Sequence, residues 1–150
     1  MGSECISMFV IFDLDGTLAD IEHRRHHVER SNKSQNWRAF FEECVDDEPQ
    51  NHIIQLCHAL ISSGHQVEIW SGRSDQVRVQ TEKWLDVHGL SKVHLKMRSK
   101  GDNTPDDVLK QTWLHASNRK PDLIFDDRNK VVEMWRRNGI PCCQVAPGDF

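Results

Sequence analysis

The sequence predicts an α/β fold: a doubly wound parallel sheet with helices on both faces. Short apolar segments typical of buried strands alternate with longer segments whose apolar residues recur at helical spacing, and this alternation is characteristic of α/β folds. Three of the strand segments end in polar clusters, and open parallel sheets bind ligands beyond the carboxyl ends of their strands. The chain has 150 residues, the length of one ordinary domain.

The predicted elements follow one another along the chain, beginning with a strand at Met8 to Phe12, a continuous apolar run that stops at Asp13. After a polar stretch, Asn36 is expected to cap a short helix that is closed by Pro49. The later strands are predicted at 67–70, 93–97, 123–125 and within 140–145. The later helices are predicted over 53–61, where Gly64 stops the helix, after Ser74, after Pro105 and around 131–135. The inward residues are expected to be Val77, Trp84, Leu85 and His88 in the helix after Ser74, and the helix after Pro105 carries Val108, Leu109, Thr112 and Trp113.

Composition limits the classes of protein that the chain can belong to. Apolar residues make up 37% and charged residues 28%, which fits a folded globule and excludes a disordered tail. The formal net charge of −4 gives no general attraction to nucleic acid, so any such contact must come from a local patch. The predicted last helix is locally basic, with Arg128, Lys130, Arg136 and Arg137, and either holds a polynucleotide or is simply a solvated face. The first five residues lack the features of a secretory signal and no apolar run is long enough to span a bilayer, so we expect a cytoplasmic protein (host cytoplasm, if phage-encoded) whose five cysteines are structural thiols.

The polar clusters at the three strand ends predict a metal-assisted site. Asp13 and Asp15 follow the first strand, Ser71-Gly72-Arg73 follows the second, and Asp126 and Asp127 follow the fourth. Carboxylates gathered in a poorly solvated crevice repel one another unless a cation neutralises them, and an all-oxygen ligand set favours Mg²⁺ over Zn²⁺. The alternative is that Asp13 and Asp15 simply cap a turn.

The sequence Asp13-Leu14-Asp15-Gly16-Thr17 at the end of a first strand resembles the signature of the haloacid-dehalogenase (HAD) phosphatases. The resemblance implies a HAD-like Rossmannoid sheet and an aspartyl-phosphate mechanism, with Asp13 as nucleophile and Asp15 as general acid and base. It also implies that Ser71 hydrogen-bonds the phosphoryl group and that Lys110 neutralises this group and orients Asp13. Asp126 and Asp127 would complete a magnesium site shared with Asp13 and the backbone carbonyl of Asp15. Between the two later acids, Asp127 is favoured as the direct ligand.

A closer resemblance covers nearly the whole chain. The segments at 101–110, 126–137 and 144–150 are similar to the 3′-phosphatase domain of phage-type polynucleotide kinase-phosphatases. This resemblance implies substrate-binding roles for Arg24, Gly72, Arg73 and Asp106. Asp106 corresponds to a further essential acid and could also fix Lys110 by an ion pair at i, i+4. The sequence contains no P-loop, so a kinase half is not expected within it.

The polar segment from residue 20 to 50 is expected to form a small helical cap inserted after the first strand of a single domain spanning residues 1–150. His23, His26, His27 and Trp37 in this segment could help to recognise substrate. His23 and His27 have metal-ligand spacing, but without a third ligand a solvated or substrate-facing helix is the better interpretation. Arg25 is left open between a phosphate contact and an exposed face, and Trp113, Phe125, Met134 and Trp135 are interpreted as core packing.

Together these observations predict a magnesium-dependent phosphomonoesterase that acts on nucleotide phosphates. The resemblance favours the 3′-phosphate of a polynucleotide or nucleoside, and a 5′-nucleotidase is the alternative. A non-catalytic nucleotide-binding module is the second alternative, although the intact pair of Asp13 and Asp15 argues against it. No protein partner and no membrane contact are predicted.

Overall fold

The computed structural model describes residues 6–29 and 34–150, in which seven strands and six helices alternate along the chain. The strands are β1 (Phe9–Phe12), β2 (Ala19–Asp20), β3 (Glu48–Pro49), β4 (Gln66–Ser74), β5 (His94–Arg98), β6 (Leu123–Asp126) and β7 (Cys142–Gln144). The helices are α1 (Glu22–Arg25), α2 (Trp37–Glu42), α3 (Asn51–Ser62), α4 (Arg78–Val87), α5 (Asp106–Ala116) and α6 (Asn129–Arg137), with 3₁₀ helices at Glu43–Asp46 and Asp75–Val77.

Five of the strands form one parallel sheet in the order β5-β4-β1-β6-β7. Strand β1 lies at the centre, where Val10 pairs with Val67 on one side and with Leu123 on the other. The chain winds outward from β1 to β4 and β5, then returns to the opposite side for β6 and β7. The predicted doubly wound α/β fold is therefore confirmed.

Alternate residues of β1 supply the two hydrophobic layers that cover the sheet. Val10 and Phe12 pack into the layer that also contains residues of α3 and α4, whereas Phe9 and Ile11 pack into the layer under α5 and α6. All four side chains are almost completely buried, since a central parallel strand is covered on both faces. Phe125, Met134 and Trp135 are buried and Trp113 packs against the second layer, so all four belong to the core as predicted.

Helix α5 presents a different face to the sheet from the one that its apolar residues suggested. Val108 is 48% exposed and Thr112 is exposed, whereas Leu109, Lys110 and Leu114 are buried. The helix is rotated so that the Lys110 ammonium reaches carboxylates at the end of the sheet. In α4, by comparison, Trp84 and Leu85 are buried as predicted and His88 is half-buried.

The segment between β2 and β3 forms an insertion beside the sheet. These two short strands pair antiparallel and bring the ends of the insertion together. Asn36 caps α2 through its side chain, as predicted, but α2 ends at Glu42 and a 3₁₀ helix follows before Pro49. A separate hydrophobic cluster, which joins Ile21, Val28 and Phe40 to Phe150, holds the insertion against the C-terminal residues. The placement corresponds to the predicted cap at 20–50, whose function as a cap stays a prediction.

The described cysteines are free thiols. Cys44, Cys57 and Cys142 are buried, and burial raises the pKa of the Cys57 and Cys142 thiols to about 12. These two side chains therefore stay neutral and act as small apolar groups. Cys5 lies outside the described residues. No helix within residues 6–29 and 34–150 combines the length and the hydropathy that crossing a membrane requires.

Candidate active site

Three carboxylates meet beyond the carboxyl ends of β1 and β6. Asp13, Asp126 and Asp127 each place an oxygen within 4.8 Å of the others, and all three residues are buried. The turn after β1 makes this approach possible because Gly16 has φ +80°, and an added Cβ would lie only 2.0 Å from Asp127 Oδ2. The predicted convergence of two strand ends is therefore present in the structure.

Lys110 on α5 is the cation of this cluster. Its ammonium donates to Asp13 Oδ1 at 2.7 Å and to Asp126 Oδ2 at 3.0 Å, and its side chain is almost completely buried. Burial and the charge of Asp126 raise the pKa of Asp13 to about 7, although Lys110 opposes the shift. Burial alone would lower the pKa of Lys110, but Asp126 and Asp13 outweigh it and raise this pKa above its ordinary value. Lys110 therefore stays charged and holds Asp13 in one orientation.

Within residues 6–29 and 34–150, Asp127 is the member of the cluster that forms no ion pair, and its buried Oδ1 has no hydrogen-bond partner there. Burial together with Asp13 and Asp126 raises the pKa of its carboxyl well above the usual range. A buried acceptor without a partner is unfavourable unless an ion or water satisfies it. Three convergent carboxylates with one unsatisfied oxygen fit a divalent cation that prefers oxygen ligands.

Asp15 lies at the same strand end but has different partners. Its Oδ1 accepts from Arg24 Nη2 at 2.5 Å, from Arg73 Nε at 2.9 Å and from Arg73 Nη2 at 2.7 Å. Burial alone would raise the pKa of Asp15, but the guanidinium groups of Arg24 and Arg73 outweigh burial and hold it well below its usual range. The side chain of Asp15 is thus outside the group of three carboxylates, and the two arginines fix its position.

Asp47 completes this second charged network. It accepts from Arg24 Nε at 2.7 Å, from Arg24 Nη2 at 2.7 Å and from Arg73 Nη2 at 2.9 Å, and its side chain is fully buried. Trp84 Nε1 also donates to the Asp47 carbonyl at 2.8 Å. Two acids and two arginines therefore balance one another in a buried site. Sequence reasoning missed Asp47, because a single acid just before a short strand at Pro49 carries no motif.

The predicted ion pair between Asp106 and Lys110 is wrong. Asp106 pairs with Arg98 at 2.5 Å and with Arg128 at 2.9 Å, while Lys110 is occupied by Asp13 and Asp126. Arg98 also donates to the carbonyls of Gly72, Asp102 and Thr104, so it shapes the loop that leads into α5. Gly72 must be glycine here, since an added Cβ would lie 2.4 Å from Asp106 Oδ1.

A pocket with a volume of about 250 Å³ opens onto the carboxylate cluster. The following predicted site residues line it: Asp13, Asp15, Gly72, Asp106, Lys110, Asp126 and Asp127. Ser71, Arg24 and Arg73 are fully buried, and the hydroxyl of Ser71 accepts the backbone N–H of Arg73 at 3.1 Å. The ion pairs of both arginines are thus with Asp15 and Asp47, and their predicted contacts with substrate remain predictions.

The histidines of the insertion are held by separate acids. His23 Nε2 lies 2.7 Å from Asp47 Oδ1, and His27 Nε2 lies 3.0 Å from Glu43 Oε1. Arg25 lies with its guanidinium over the ring of Phe150, 4.8 Å from the centroid. Trp37 is the member of the predicted recognition set that lines the pocket.

The parallel sheet, with paired acids after its first strand and a buried lysine against the nucleophile position, defines a HAD phosphatase, a hydrolase of phosphomonoesters. The chain belongs to a particular branch of that class, the polynucleotide kinase PNKP phosphatase domain family, whose model matches residues 7–150.

Solved structures support this placement. A chain from the structure of the Pnkp1/Rnl/Hen1 RNA repair complex is 28% identical, with a TM-score of 0.80, and the match covers 100% of this chain and 46% of that one. A second structure of the Pnkp1/Rnl/Hen1 complex gives 28% identity and a TM-score of 0.79, covering 99% and 49%. The present chain therefore spans about half the length of these relatives. Those two relatives are parts of a complex, and the expectation that the present chain has no protein partner stays a prediction.

More distant structures share the fold alone. A putative phosphatase from Clostridium difficile is 15% identical with a TM-score of 0.62, covering 92% of this chain and 84% of its own. A class C acid phosphatase from Bacillus anthracis with tungstate bound is 14% identical with a TM-score of 0.61, covering 95% and 70%.

Proposed function

We propose that this protein is a magnesium-dependent phosphatase that removes the 3′-phosphate from a polynucleotide end, RNA ends included, through an aspartyl-phosphate intermediate. The observation that carries the chemistry is the contact of Lys110 with Asp13 inside the cluster formed with Asp126 and Asp127. Membership of the PNKP phosphatase family supports the polynucleotide substrate, as does the likeness to chains from an RNA repair complex.

Asp13 acts as the nucleophile. One of its carboxylate oxygens attacks phosphorus, the bond between phosphorus and the ribose 3′-oxygen breaks, and the phosphoryl group is transferred to Asp13. Lys110 keeps the carboxylate oriented and offsets the negative charge that accumulates on the phosphoryl oxygens. Asp13, Asp126 and Asp127 would hold Mg²⁺, which supplies positive charge at this point when bound.

Asp15 acts as the general acid that protonates the leaving 3′-oxygen. The guanidinium hydrogen bonds converge on Oδ1 and do not engage Oδ2, which is the oxygen left to carry a proton. The negative phosphoryl group of the substrate favours the protonated form of a nearby carboxyl. Asp15 then gives its proton to the leaving 3′-oxygen as the first bond breaks.

The second step reverses the role of Asp15. As a carboxylate, the form that Arg24 and Arg73 favour, it accepts a proton from water while the water oxygen attacks phosphorus. The acyl-phosphate bond to Asp13 breaks, inorganic phosphate leaves, and both acids return to their starting states.

The experiment measures phosphate release from one oligonucleotide carrying either a 3′-phosphate or a 5′-phosphate, from DNA and RNA versions, and from 3′- and 5′-mononucleotides. We expect the 3′-phosphorylated oligonucleotides to be the best substrates. A clear preference for 5′-mononucleotides would instead identify a 5′-nucleotidase.

Asp13→Asn tests the chemistry. It should lower kcat by more than about 10³-fold on every substrate, a generic aryl phosphate included, because the nucleophile is lost. The matched control is Asp86→Asn, the same chemical change at an exposed position of α4, which should leave kcat unchanged. Equal rates for Asp13→Asn and the wild type would rule out the proposed role of Asp13.

A further inference from the structure

One large aromatic side chain of the insertion stands at the mouth of the active-site pocket. Trp37, the first residue of α2, lines the pocket and is 38% exposed. Phe40 and Phe41, which also line the pocket, pack against it with ring centroids 5.6 Å and 6.0 Å from that of Trp37. Phe40 is itself buried, so the Trp37 indole packs against an immobile ring while part of the indole surface stays exposed.

Trp37 lies near Arg128, a cation that also pairs with Asp106. The guanidinium carbon of Arg128 lies 5.8 Å from the Trp37 ring centroid and 5.2 Å from that of Phe150. Arg128 and Lys130 both line the pocket, as do Asp13 and Lys110 of the catalytic cluster. The open indole surface therefore shares one cavity with the position at which phosphorus reacts.

We propose that Trp37 is the stacking platform for the base of the terminal nucleotide, an inference that rests on the proposed function. Three features favour this occupant over ordinary packing. The cavity, at about 250 Å³, suits one nucleotide-sized group, the indole offers a flat apolar surface, and Lys130 and the Asp106-paired Arg128 are the lining cations that an anionic backbone could contact. Every base has a π face, so stacking on Trp37 would anchor the terminal nucleotide with little base preference.

The proposal gives the insertion a function in the reaction. The alcohol that leaves phosphorus when Asp13 attacks is the 3′-hydroxyl of the terminal nucleotide, so the base of that nucleotide must lie close to the site of phosphoryl transfer. Trp37 is contributed by the segment between β2 and β3, whereas the catalytic acids follow β1 and β6. The sheet would thus provide the chemistry and the insertion would hold the nucleoside.

The test compares two substrates that differ only in the terminal base. One is an oligonucleotide with a normal 3′-terminal nucleotide 3′-phosphate, and the other has an abasic sugar at that position. Stacking on one aromatic residue corresponds to roughly a 5- to 150-fold preference for the base-containing substrate in kcat/KM. Trp37→Ala should bring this ratio close to one, mainly through KM, and Trp37→Phe should keep most of it.

A neighbouring variant controls for disturbance of α2. Arg38 follows Trp37 on the same helix, its side chain is 87% exposed and it pairs with Glu42, so Arg38→Ala should keep the wild-type ratio. A Trp37→Ala enzyme with an unchanged ratio would overturn the proposal, and so would an equal loss of the ratio in Arg38→Ala.

A binding measurement separates this proposal from the proposed function. Fluorescence anisotropy with labelled versions of the two oligonucleotides, using Asp13→Asn with and without Trp37→Ala, reports the affinity for each without turnover. If the wild type released no phosphate from either substrate but base-dependent binding still required Trp37, the 3′-phosphatase function would fail and the stacking platform would stand. Binding that ignored the base in the presence of Trp37 would overturn the platform whatever the enzyme hydrolyses.

Discussion

Gly16→Ala should remove most of the activity through one added methyl group. Gly16 has φ +80°, and a Cβ built there would lie 2.0 Å from Asp127 Oδ2 and 2.6 Å from Asp127 Cγ. Unstrained nonbonded contacts begin near 3.5 Å, so the Asp127 carboxylate would have to move by about 1.5 Å. Asp127 is only 2% exposed, which leaves little room for that movement. For a group proposed to hold the metal, a displacement of this size should lower the rate by roughly 100-fold.

Gly64→Ala is the matched control because it reproduces the backbone effect without the contact. Gly64 has φ +85° and no atom within 4 Å of an added Cβ. The left-handed conformation disfavours alanine by about 1–2 kcal/mol at either position. Both variants should therefore lose a similar amount of stability from the backbone, and Gly16→Ala should lose more because Asp127 is also displaced.

The assay combines kcat/KM on a phosphomonoester with thermal unfolding of the same preparations. We expect Gly64→Ala to keep the wild-type kcat/KM at a temperature where it is folded, and Gly16→Ala to fall by roughly 100-fold. If both variants were equally active, the close approach of Gly16 to Asp127 would have no part in catalysis, and the reasoning would be refuted.

Two further variants test the charged networks. Asp47→Ala leaves Arg24 and Arg73 with one buried carboxylate instead of two, and should lower the free energy of unfolding by about 3–5 kcal/mol, measured by denaturant titration. Glu82→Ala breaks the exposed ion pair with Arg78 and should change the free energy of unfolding by less than about 0.5 kcal/mol. Equal losses of stability in Asp47→Ala and Glu82→Ala would contradict the importance of the Asp47 network. Asp127→Asn removes a buried charge that faces Asp13 and Asp126, and should raise the melting temperature without metal. Mg²⁺ at 100 times its Kd should raise the free energy of unfolding of the wild type by about 2.7 kcal/mol. A similar increase for Asp127→Asn would show that Asp127 is not a ligand.

The strand-end acids were predictable from sequence because each follows a short buried run, and parallel strands bring such ends to one edge. Asp13 and Asp126 illustrate this. The contact of Lys110 with Asp13 agrees with the role that the family resemblance implied, whereas its contact with Asp126 was not predicted. The partners of Asp106 were not predictable, because its competing arginines come from the end of β5 and the start of α6 and meet only after folding.

The buried face of α5 could also not be predicted from the spacing of apolar residues. Val108 is more apolar than Lys110, yet Lys110 is the buried one, since two carboxylates compensate the unfavourable burial of its charge. Hydrophobic spacing alone takes no account of such compensation. The same applies to Asp47, whose burial depends on arginines 23 and 26 positions away.

The central position of β1 makes enzymatic turnover a stringent reporter of complete folding. Asp13 meets Lys110 across 97 positions of sequence and touches the strand that supplies Asp126, while Asp15 meets Arg73 across 58. Neither the part of the chain that forms β1, β4 and β5 nor the part that forms β6 and β7 contains all of these groups. A truncated fragment or a partly collapsed intermediate should therefore be inactive. Recovery of turnover after dilution from denaturant would consequently follow the last long-range docking event, well after local helices have formed.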